Sequence, residues 1–248
     1  FTIKQFRIDT LCYDSYTNSF VVIEYKKTKS YSVIDQGYTY MSLMLNNKSD
    51  FILEYNETQE EQLKRRDVDW GQSRVLFISP SFTEYQKNSV EFKDVPFELW
   101  EIKKFSNKNV VLNRHKSTST ESVASISKKD DVISSVNKEV KVYNVDDHRK
   151  KGSNESQELF DTFSARVLEL ESLEIVPTKE YIGFKIGKRI ITDVEIQKTS
   201  IKLRINMKWG ELDDSKGLFR DMSNIGHFGV GDYECKIDND NDLDYIMN

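Results

Sequence analysis

Short runs of hydrophobic residues that alternate with polar ones recur through the first part of the chain, a pattern typical of β-strands. The runs 3–13 and 19–27 are rich in β-branched and aromatic residues, and the polar residues between them favour a turn, so they predict a hairpin. Apolar residues at helical spacing then predict a helix from Ser30 to Asn46, with Ser30 or Ser32 as its N-cap. The same patterns predict helices over 50–66 and 81–90 and strands over 74–79, 97–102 and 109–112.

The pattern changes near residue 116. Residues 116–137 are mostly Ser, Thr, Lys and Asp without a large aromatic residue, a composition that buries little apolar surface, so we expect an interdomain linker. Charged and apolar residues alternate over 138–145, which predicts a strand. The elements expected after it are a helix over 157–173, strands over 181–186, 189–196 and 200–207, a last strand after the Gly-rich run 226–234, and a terminal helix over 240–247.

These elements predict two domains, of α/β and α+β class. The first, residues 1–115, is expected to be a mixed sheet flanked by helices, and the second, 138–248, a smaller α+β domain with an antiparallel sheet. A chain of 248 residues is long enough for two separate cores.

Charge and composition restrict the functions that are compatible with the chain. The net charge is −5, with 16 basic and 16 acidic residues over 1–115 but 12 against 18 over 157–248, so any nucleic-acid site must be local. No apolar run approaches the roughly 18 residues that span a bilayer, and we expect no membrane partner. The chain starts at Phe1 without a secretory leader, so we expect it to begin inside a longer protein. Cys12 and Cys235 lie far apart, which favours a reducing, cytoplasmic setting over a disulfide framework.

Charged residues stand at the ends of the first two predicted strands, where burial would favour apolar ones. Asp9 and Glu24 carry the hard oxygen ligands that Mg²⁺ or Mn²⁺ prefers, and Lys26 supplies a cation. Strand alternation places Glu24 and Lys26 on one face and the Tyr25 side chain on the other. The Tyr25 backbone carbonyl offers one more oxygen for a metal ion. Exposed strand charge, or a simple ion cluster, is the alternative interpretation.

Ile8-Asp9 is followed, after fourteen residues, by Glu24-Tyr25-Lys26 and then by a predicted helix. This order resembles the PD-(D/E)XK nuclease superfamily, whose restriction-endonuclease-like fold is a mixed sheet flanked by helices. The resemblance covers about residues 3–113. Ile8 stands where the family commonly has Pro, and the helix that often precedes the family's first strand has no counterpart in this chain.

A second motif lies on the predicted helix that follows. Gln36 and Tyr40 are four residues apart, so they share one helix face, and they look like the Gln-x-x-x-Tyr element of RecB-type members of the same superfamily. In those members the element supports the site or the substrate backbone.

The resemblance implies an activity and the roles of the residues. Asp9, Glu24 and the Tyr25 carbonyl would bind Mg²⁺ or Mn²⁺, and Lys26 would position or activate water, so that DNA phosphodiester bonds are hydrolysed in restriction or repair. Cutting both strands with one site per chain would favour a homodimer. Two alternatives remain: a nucleic-acid-binding protein that does not cut, and an interaction scaffold.

Other residues are weaker candidates. Arg7 and Arg74 are possible phosphate contacts, although surface ion pairs explain them as well. The second domain looks like a domain of unknown function that occurs behind predicted nucleases and in predicted transport proteins, and we expect it to serve recognition. Lys179, Lys185 and His227 could line an anion pocket there; a tight turn with positive φ at Gly is the alternative for the Gly-rich run.

Overall fold

The computed structural model describes residues 1–27, 32–123, 131–170 and 173–248. The chain divides into two compact units, Phe1–Val142 and Tyr143–Asn248. Each unit has its own hydrophobic core and its own main sheet, which agrees with the expected mixed α/β and α+β classes. None of the helices in the described ranges is long and apolar enough to cross a membrane.

The first unit is built on a five-stranded sheet with the order β3-β4-β5-β6-β7. Its elements are β1 (Thr2–Ile3), β2 (Phe6–Arg7), β3 (Thr10–Asp14), β4 (Ser19–Tyr25), α1 (Val33–Asn46), α2 (Lys48–Thr58), β5 (Arg74–Ser79), α3 (Glu84–Ser89), β6 (Phe97–Lys104), β7 (Val110–His115) and α4 (Asp131–Glu139). Strands β4, β5 and β6 are parallel, while β3 and β7 pair antiparallel at the two edges. The carboxyl ends of the three central strands therefore meet at one end of the sheet.

The central strand β4 is buried on both faces over most of its length, as its run of apolar residues predicts. Helix α1 packs on the face that carries Phe20 and Val22, and Ser32 caps it by accepting a hydrogen bond from the Asp35 amide. Ser32 is thus confirmed as an N-cap, while Ser30 lies outside the described residues. A Cβ on Gly37 would lie 2.8 Å from the Phe97 ring, so glycine allows this helix to lie close to the sheet.

Two predicted elements of this unit are shorter than expected. The run 3–13 is interrupted, because Lys4 adopts a positive φ of 52° in a small β1–β2 hairpin and Asp9 falls in the connection before β3. The helix predicted over 50–66 ends at Thr58. The acidic residues around this end oppose the negative end of the helix dipole and disfavour its continuation.

The linker predicted over 116–137 is wrong in part, and the strand predicted over 138–145 is wrong, because none of those residues lies in a strand. Asp131–Glu139 form helix α4, in which Val136 is 1% exposed, and the helix packs against α1 within the first unit. Aliphatic residues three and four positions apart give α4 an apolar face, so it packs without any aromatic residue. Residues 124–130 lie outside the described part of the chain.

The second unit is a six-stranded antiparallel sheet with the order β12-β13-β11-β10-β9-β8, as its alternating pattern predicts. Its elements are α5 (Val145–Arg149), α6 (Asn154–Leu170), β8 (Glu174–Pro177), β9 (Ile182–Ile186), β10 (Arg189–Ile196), β11 (Ile201–Ile205), β12 (Arg220–Asp221), β13 (Tyr233–Ile237) and α7 (Leu243–Met247). Strand β8 was not expected, because its apolar run is short and ends in proline. One sheet face, with Ile182, Val194 and Leu203, packs with Phe163 of α6 in the core.

Candidate functional site

Glu24 lies at the end of the core-facing row of β4 and is 8% exposed. Its Oε1 accepts hydrogen bonds from Lys26 Nζ at 3.3 Å and from Gln36 Nε2 at 3.0 Å. Its Oε2 accepts one from the Tyr40 hydroxyl at 2.9 Å. Three donors therefore hold a nearly buried carboxylate in one orientation, and two of them come from α1.

Lys26 continues the same face of β4 beyond Glu24 and its side chain is 14% exposed. Its ammonium group donates to Gln36 Oε1 as well as to Glu24, and it lies 6.0 Å from the centre of the Phe77 ring. Gln36 Nε2 also donates to the Tyr40 hydroxyl at 3.1 Å. The structure thus brings together the four predicted residues Glu24, Lys26, Gln36 and Tyr40 in one hydrogen-bonded network.

Asp9 joins this end of the sheet from the neighbouring edge. The first pair of the β3–β4 ladder is Thr10 with Ile23, so Asp9 lies beside the end of β4. Its Oδ2 accepts a hydrogen bond from the Tyr25 amide at 3.1 Å. Its side chain is 26% exposed, more open to solvent than Glu24.

The Tyr25 carbonyl is directed toward the same side of β4 as Asp9. The Lys26 amide donates to the Ile78 carbonyl of β5 at 2.8 Å. In a trans peptide the N–H and the C=O point in opposite directions, so the Tyr25 carbonyl points away from β5 and toward the β3 side. The Tyr25 side chain itself is 50% exposed on the other face, as predicted.

The electrostatics of the site keep Tyr40 as a donor. Burial, together with the hydrogen bond to Glu24 and its charge, raises the pKa of Tyr40 to about 12. The hydroxyl group therefore remains protonated near neutral pH and can donate to Glu24.

A cleft of about 610 Å³ lies between β3 and α2, bordered by Asp9, Tyr13 and Tyr55, while Glu24 and Lys26 do not line it. Within the described ranges, no group of three or more His, Cys, Asp and Glu residues is arranged to hold a metal ion. The candidate metal ligands are therefore limited to two carboxylates and one backbone carbonyl.

Arg7 and Arg74 are placed differently from this network. Arg7 is largely exposed, with its guanidinium 3.9 Å from Asp9 Oδ1. Arg74 is the first residue of β5 and lies three residues before Phe77, which pairs with Glu24. Side chains alternate along a strand, so Arg74 lies on the sheet face opposite to that of Glu24, toward the other end of the sheet. It forms ion pairs there with Asp14 at 2.7 Å and with Glu98 at 3.4 Å.

Sequence reasoning missed two residues that shape the site. Gly37 permits the close approach of α1, and Phe77 lies beneath the Lys26 ammonium group. A glycine inside an otherwise apolar-periodic helix was the available signal for close packing. The contribution of Phe77 had no such signal, because it depends on the parallel pairing of β4 with β5.

The second unit contains a buried ionic cluster on the sheet face opposite its apolar core. The Arg204 guanidinium bonds to Asp193 at 2.8 Å and to Glu195 and Glu234 at 3.0 Å each. Arg220 also pairs with Glu234 from the surface. Burial raises the pKa of Asp193 to about 6, although Arg204 opposes this shift.

The Gly-rich run covers that cluster. The Val230 amide donates to Asp193 Oδ2 at 2.8 Å, and Gly229 and Gly231 have φ values of 115° and 67°. The two ring nitrogens of His227 lie 2.8 Å and 3.0 Å from backbone carbonyls of the same loop. This geometry matches the alternative of a tight turn with positive φ at glycine.

The other two residues proposed for an anion pocket are Lys179 and Lys185. Lys179 lies in the turn between β8 and β9, and Lys185 lies on β9 opposite Ile190 and Glu174. A cavity of about 350 Å³ in this unit has other lining residues, among them Phe163, Arg189 and Met247. Lys179, Lys185 and His227 do not line it.

The fold and the site define a two-unit protein of mixed α/β structure, with a carboxylate and lysine network at one end of its first sheet. The chain belongs to one family with a protein of Haemophilus influenzae (strain ATCC 51907 / DSM 11121 / KW20 / Rd) described as an uncharacterized protein. The two are 46% identical over 249 residues, which cover 100% of this chain and 82% of that relative. Residues 145–248 match a domain of unknown function (DUF5655), in agreement with the expectation for the second domain. No solved structure matches the chain.

Proposed function

We propose that the protein is a metal-dependent nuclease of the PD-(D/E)XK type that hydrolyses phosphodiester bonds in DNA, in restriction or repair. The observation that carries this proposal is the network in which Glu24 and Lys26 are held by Gln36 and Tyr40 while Asp9 lies beside the same strand end. Both motifs that suggested the family meet in this network. A simple surface ion pair would not need the two donors from α1.

The donor set fits Mg²⁺ or Mn²⁺. A carboxylate has about four lone-pair positions, and Glu24 uses three of them within the protein, which leaves one on Oε2. Asp9 Oδ2 accepts one bond from the Tyr25 amide, and the Tyr25 carbonyl faces the same side. Asp9, Glu24 and the Tyr25 carbonyl would hold the ion. When bound, the metal would supply Lewis acidity toward the phosphate and lower the pKa of a water ligand.

The chain's own residues supply positioning and positive charge. Lys26 has three N–H donors and directs two of them to Glu24 and Gln36, so one remains for water or a phosphate oxygen. Its side chain is held on three sides, by Glu24, Gln36 and the Phe77 ring, so it is already oriented before substrate binds. A fixed cation stabilises the negative charge that develops on the phosphate during attack.

The sheet is compatible with this proposal. A mixed sheet flanked by helices is the arrangement that the restriction-endonuclease-like class implies, and the first unit has a mixed five-stranded sheet. The carboxylates of the second unit form ion pairs with Arg204 and Lys202 within its sheet, and we assign this unit to recognition.

The proposal is tested by incubating supercoiled and single-stranded DNA with the protein in Mg²⁺, Mn²⁺ or a chelator. We expect cleavage only with metal, and a loss of about a hundredfold or more in Asp9→Asn, Glu24→Gln and Lys26→Ala. Asp14→Asn is the matched control, because Asp14 is a similarly shielded carboxylate at the other end of β3. It should cut like the wild type.

A second readout does not depend on cleavage. Binding of Mn²⁺ to the folded state should raise the melting temperature of the wild type and of Asp14→Asn, but not of Glu24→Gln. Full activity in Lys26→Ala would contradict the mechanism. DNA binding without cleavage would instead support the non-cutting alternative, and neither binding nor stabilisation by metal would support the scaffold.

A further inference from the structure

The β6–β7 hairpin is the most basic element of the first unit. Residues 102–116 contain five Lys or Arg residues and no Asp or Glu, in a chain whose net charge is −5. Residues 102–114 are all exposed. The hairpin is nevertheless regular: its residue pairs run from Leu99 with His115 to Lys104 with Val110. A ribbon that is exposed on both faces projects from the body of its unit.

The ribbon projects at the end of the sheet that carries the candidate site. Strand β5 ends at Ser79, which pairs with Glu101, whereas β6 continues to Lys104. The extra three residues extend the ribbon by about 10 Å before its turn begins. Since β6 lies two strands from β4, the ribbon stands about 10 Å to the side of Glu24.

Three lysines surround the turn of the ribbon: Lys103, Lys104 and Lys108. Lys104 and Lys108 have no carboxylate within 4.0 Å among the described residues, so their charge is available to a ligand. Phe105 at the turn is 51% exposed, and Val110 and Leu112 are about half exposed on β7. The surface therefore combines unpaired cations with apolar groups.

We propose that the β6–β7 hairpin binds double-stranded DNA in its major groove, beside the Asp9 and Glu24 site. This inference rests on the proposed function for the role of the site, while the binding itself does not require cleavage. A B-form major groove is about 12 Å wide and admits a two-stranded β-ribbon. Lysines on the ribbon then reach the phosphates, and exposed apolar side chains contact thymine methyl groups. The deep, narrow major groove of A-form RNA does not admit such a ribbon.

The competing occupant of this surface is another protein strand, because β7 is an edge strand with exposed apolar residues. A second copy of the chain is disfavoured by charge. Antiparallel pairing of two β7 strands would bring Lys108 of each copy close to Arg114 of the other. Arg114 already pairs with Glu98 at 3.4 Å, but residues 102–116 contain no acidic residue that could neutralise Lys108. DNA supplies the missing negative charge.

The test measures binding of a fluorescently labelled duplex by anisotropy in the presence of a chelator, so that no cleavage occurs. The variant Lys103→Ala/Lys104→Ala/Lys108→Ala should weaken duplex binding by at least about tenfold. The slope of log affinity against log salt should fall by about two to three, because each phosphate contact contributes about 0.9. Replacing the same lysines with Arg should preserve the affinity, since it keeps the charge.

The matched control removes three cations elsewhere in the same unit: Lys64→Ala/Arg65→Ala/Arg66→Ala. These residues are exposed and shortly precede Asp69. The Asp69 backbone amide donates to the Asn18 carbonyl, directly before β4, so the three cations lie toward the start of β4 and away from the candidate site at its end. The control should bind duplex DNA about as the wild type does. Equal losses in both variants, or tighter binding of single strands or duplex RNA than of duplex DNA, would overturn the inference.

The two proposals fail in different ways. If the wild type binds duplex DNA through the lysines but never cuts it, the function is wrong and this inference stands. If the wild type cuts DNA and the lysine variant binds and cuts equally well, this inference is wrong and the function stands. Concentration-dependent dimerisation that is lost in Leu112→Asp, without any loss of DNA binding, would assign the ribbon to a second copy instead.

Discussion

The Tyr40 hydroxyl donates a hydrogen bond to Glu24 Oε2 over 2.9 Å and so ties helix α1 to the end of strand β4. Both side chains are almost buried, at 5% and 8% exposed. The bond connects the two motifs of the sequence, one on a strand and one on a helix. It also satisfies a carboxylate oxygen that would otherwise be costly to bury.

Substitution of Tyr40 by Phe tests the importance of this bond. Loss of a hydrogen bond to a charged group should lower the free energy of unfolding by about 1.5–3 kcal/mol and leave Glu24 less well oriented. DNA cleavage should fall by about tenfold. Chemical denaturation and initial cleavage rates provide the two measurements. Tyr85→Phe is the control, because Tyr85 is 73% exposed, and a loss as large in that variant would refute a specific role for Tyr40.

The raised pKa of Tyr40 predicts a dependence of stability on alkaline pH. The pKa is 10.0 for the unperturbed side chain and about 12 in the fold, so the folded state binds this proton more tightly than the unfolded state. The resulting stabilisation is complete below pH 10 and is lost as the pH rises through about 12. Over this pH range the free energy of unfolding should therefore fall more steeply for the wild type than for Tyr40→Phe. Parallel pH profiles for the two proteins would contradict the prediction.

In the second unit, Arg204→Met should be strongly destabilising. The substitution leaves the buried Asp193 without its ion-pair partner, while Glu195 and Glu234 keep their pairs with Lys202 and Arg220. Breaking a buried ion pair in this way costs about 3–5 kcal/mol. Urea denaturation followed by circular dichroism measures the change. Arg220→Met is the control, since Arg220 is 62% exposed and pairs only with Glu234 among the described ion pairs. A similar, small effect of both changes would show that the cluster contributes little.

Gly231→Ala should destabilise the same unit more than Gly187→Ala does. Both glycines have a positive φ, 67° and 56°, so both alanines strain the backbone. A Cβ on Gly231 would also lie 2.0 Å from the Ile205 carbonyl oxygen, whereas a Cβ on Gly187 meets nothing within 4 Å. We expect about 1 kcal/mol for Gly187→Ala and several times that for Gly231→Ala, as measured by thermal unfolding. Equal costs would mean that the loop can move away from β11.

Local patterns predicted a large part of the first sheet. The strands around Val22, Val75 and Leu99 were expected from their apolar runs, and Ser32 was one of two expected N-caps. The helix over Asp131–Glu139 was missed, because its apolar face is aliphatic and narrow within a polar segment. The projecting hairpin was missed too, since its lysines became a distinct surface only when β6 was found to extend past β5.

The sequence by itself determined the residues available for chemistry: Asp9, the pair Glu24 and Lys26 on one strand face, and Gln36 with Tyr40 on one helix face. These relationships are local, because strand and helix periodicities alone decide which neighbouring side chains share a face. Only the tertiary structure decided that the helix face covers the strand face, that the Tyr25 carbonyl turns toward Asp9, and that Arg74 lies elsewhere. Those relationships depend on strand order, register and the close approach of α1 at Gly37, which are set by long-range packing.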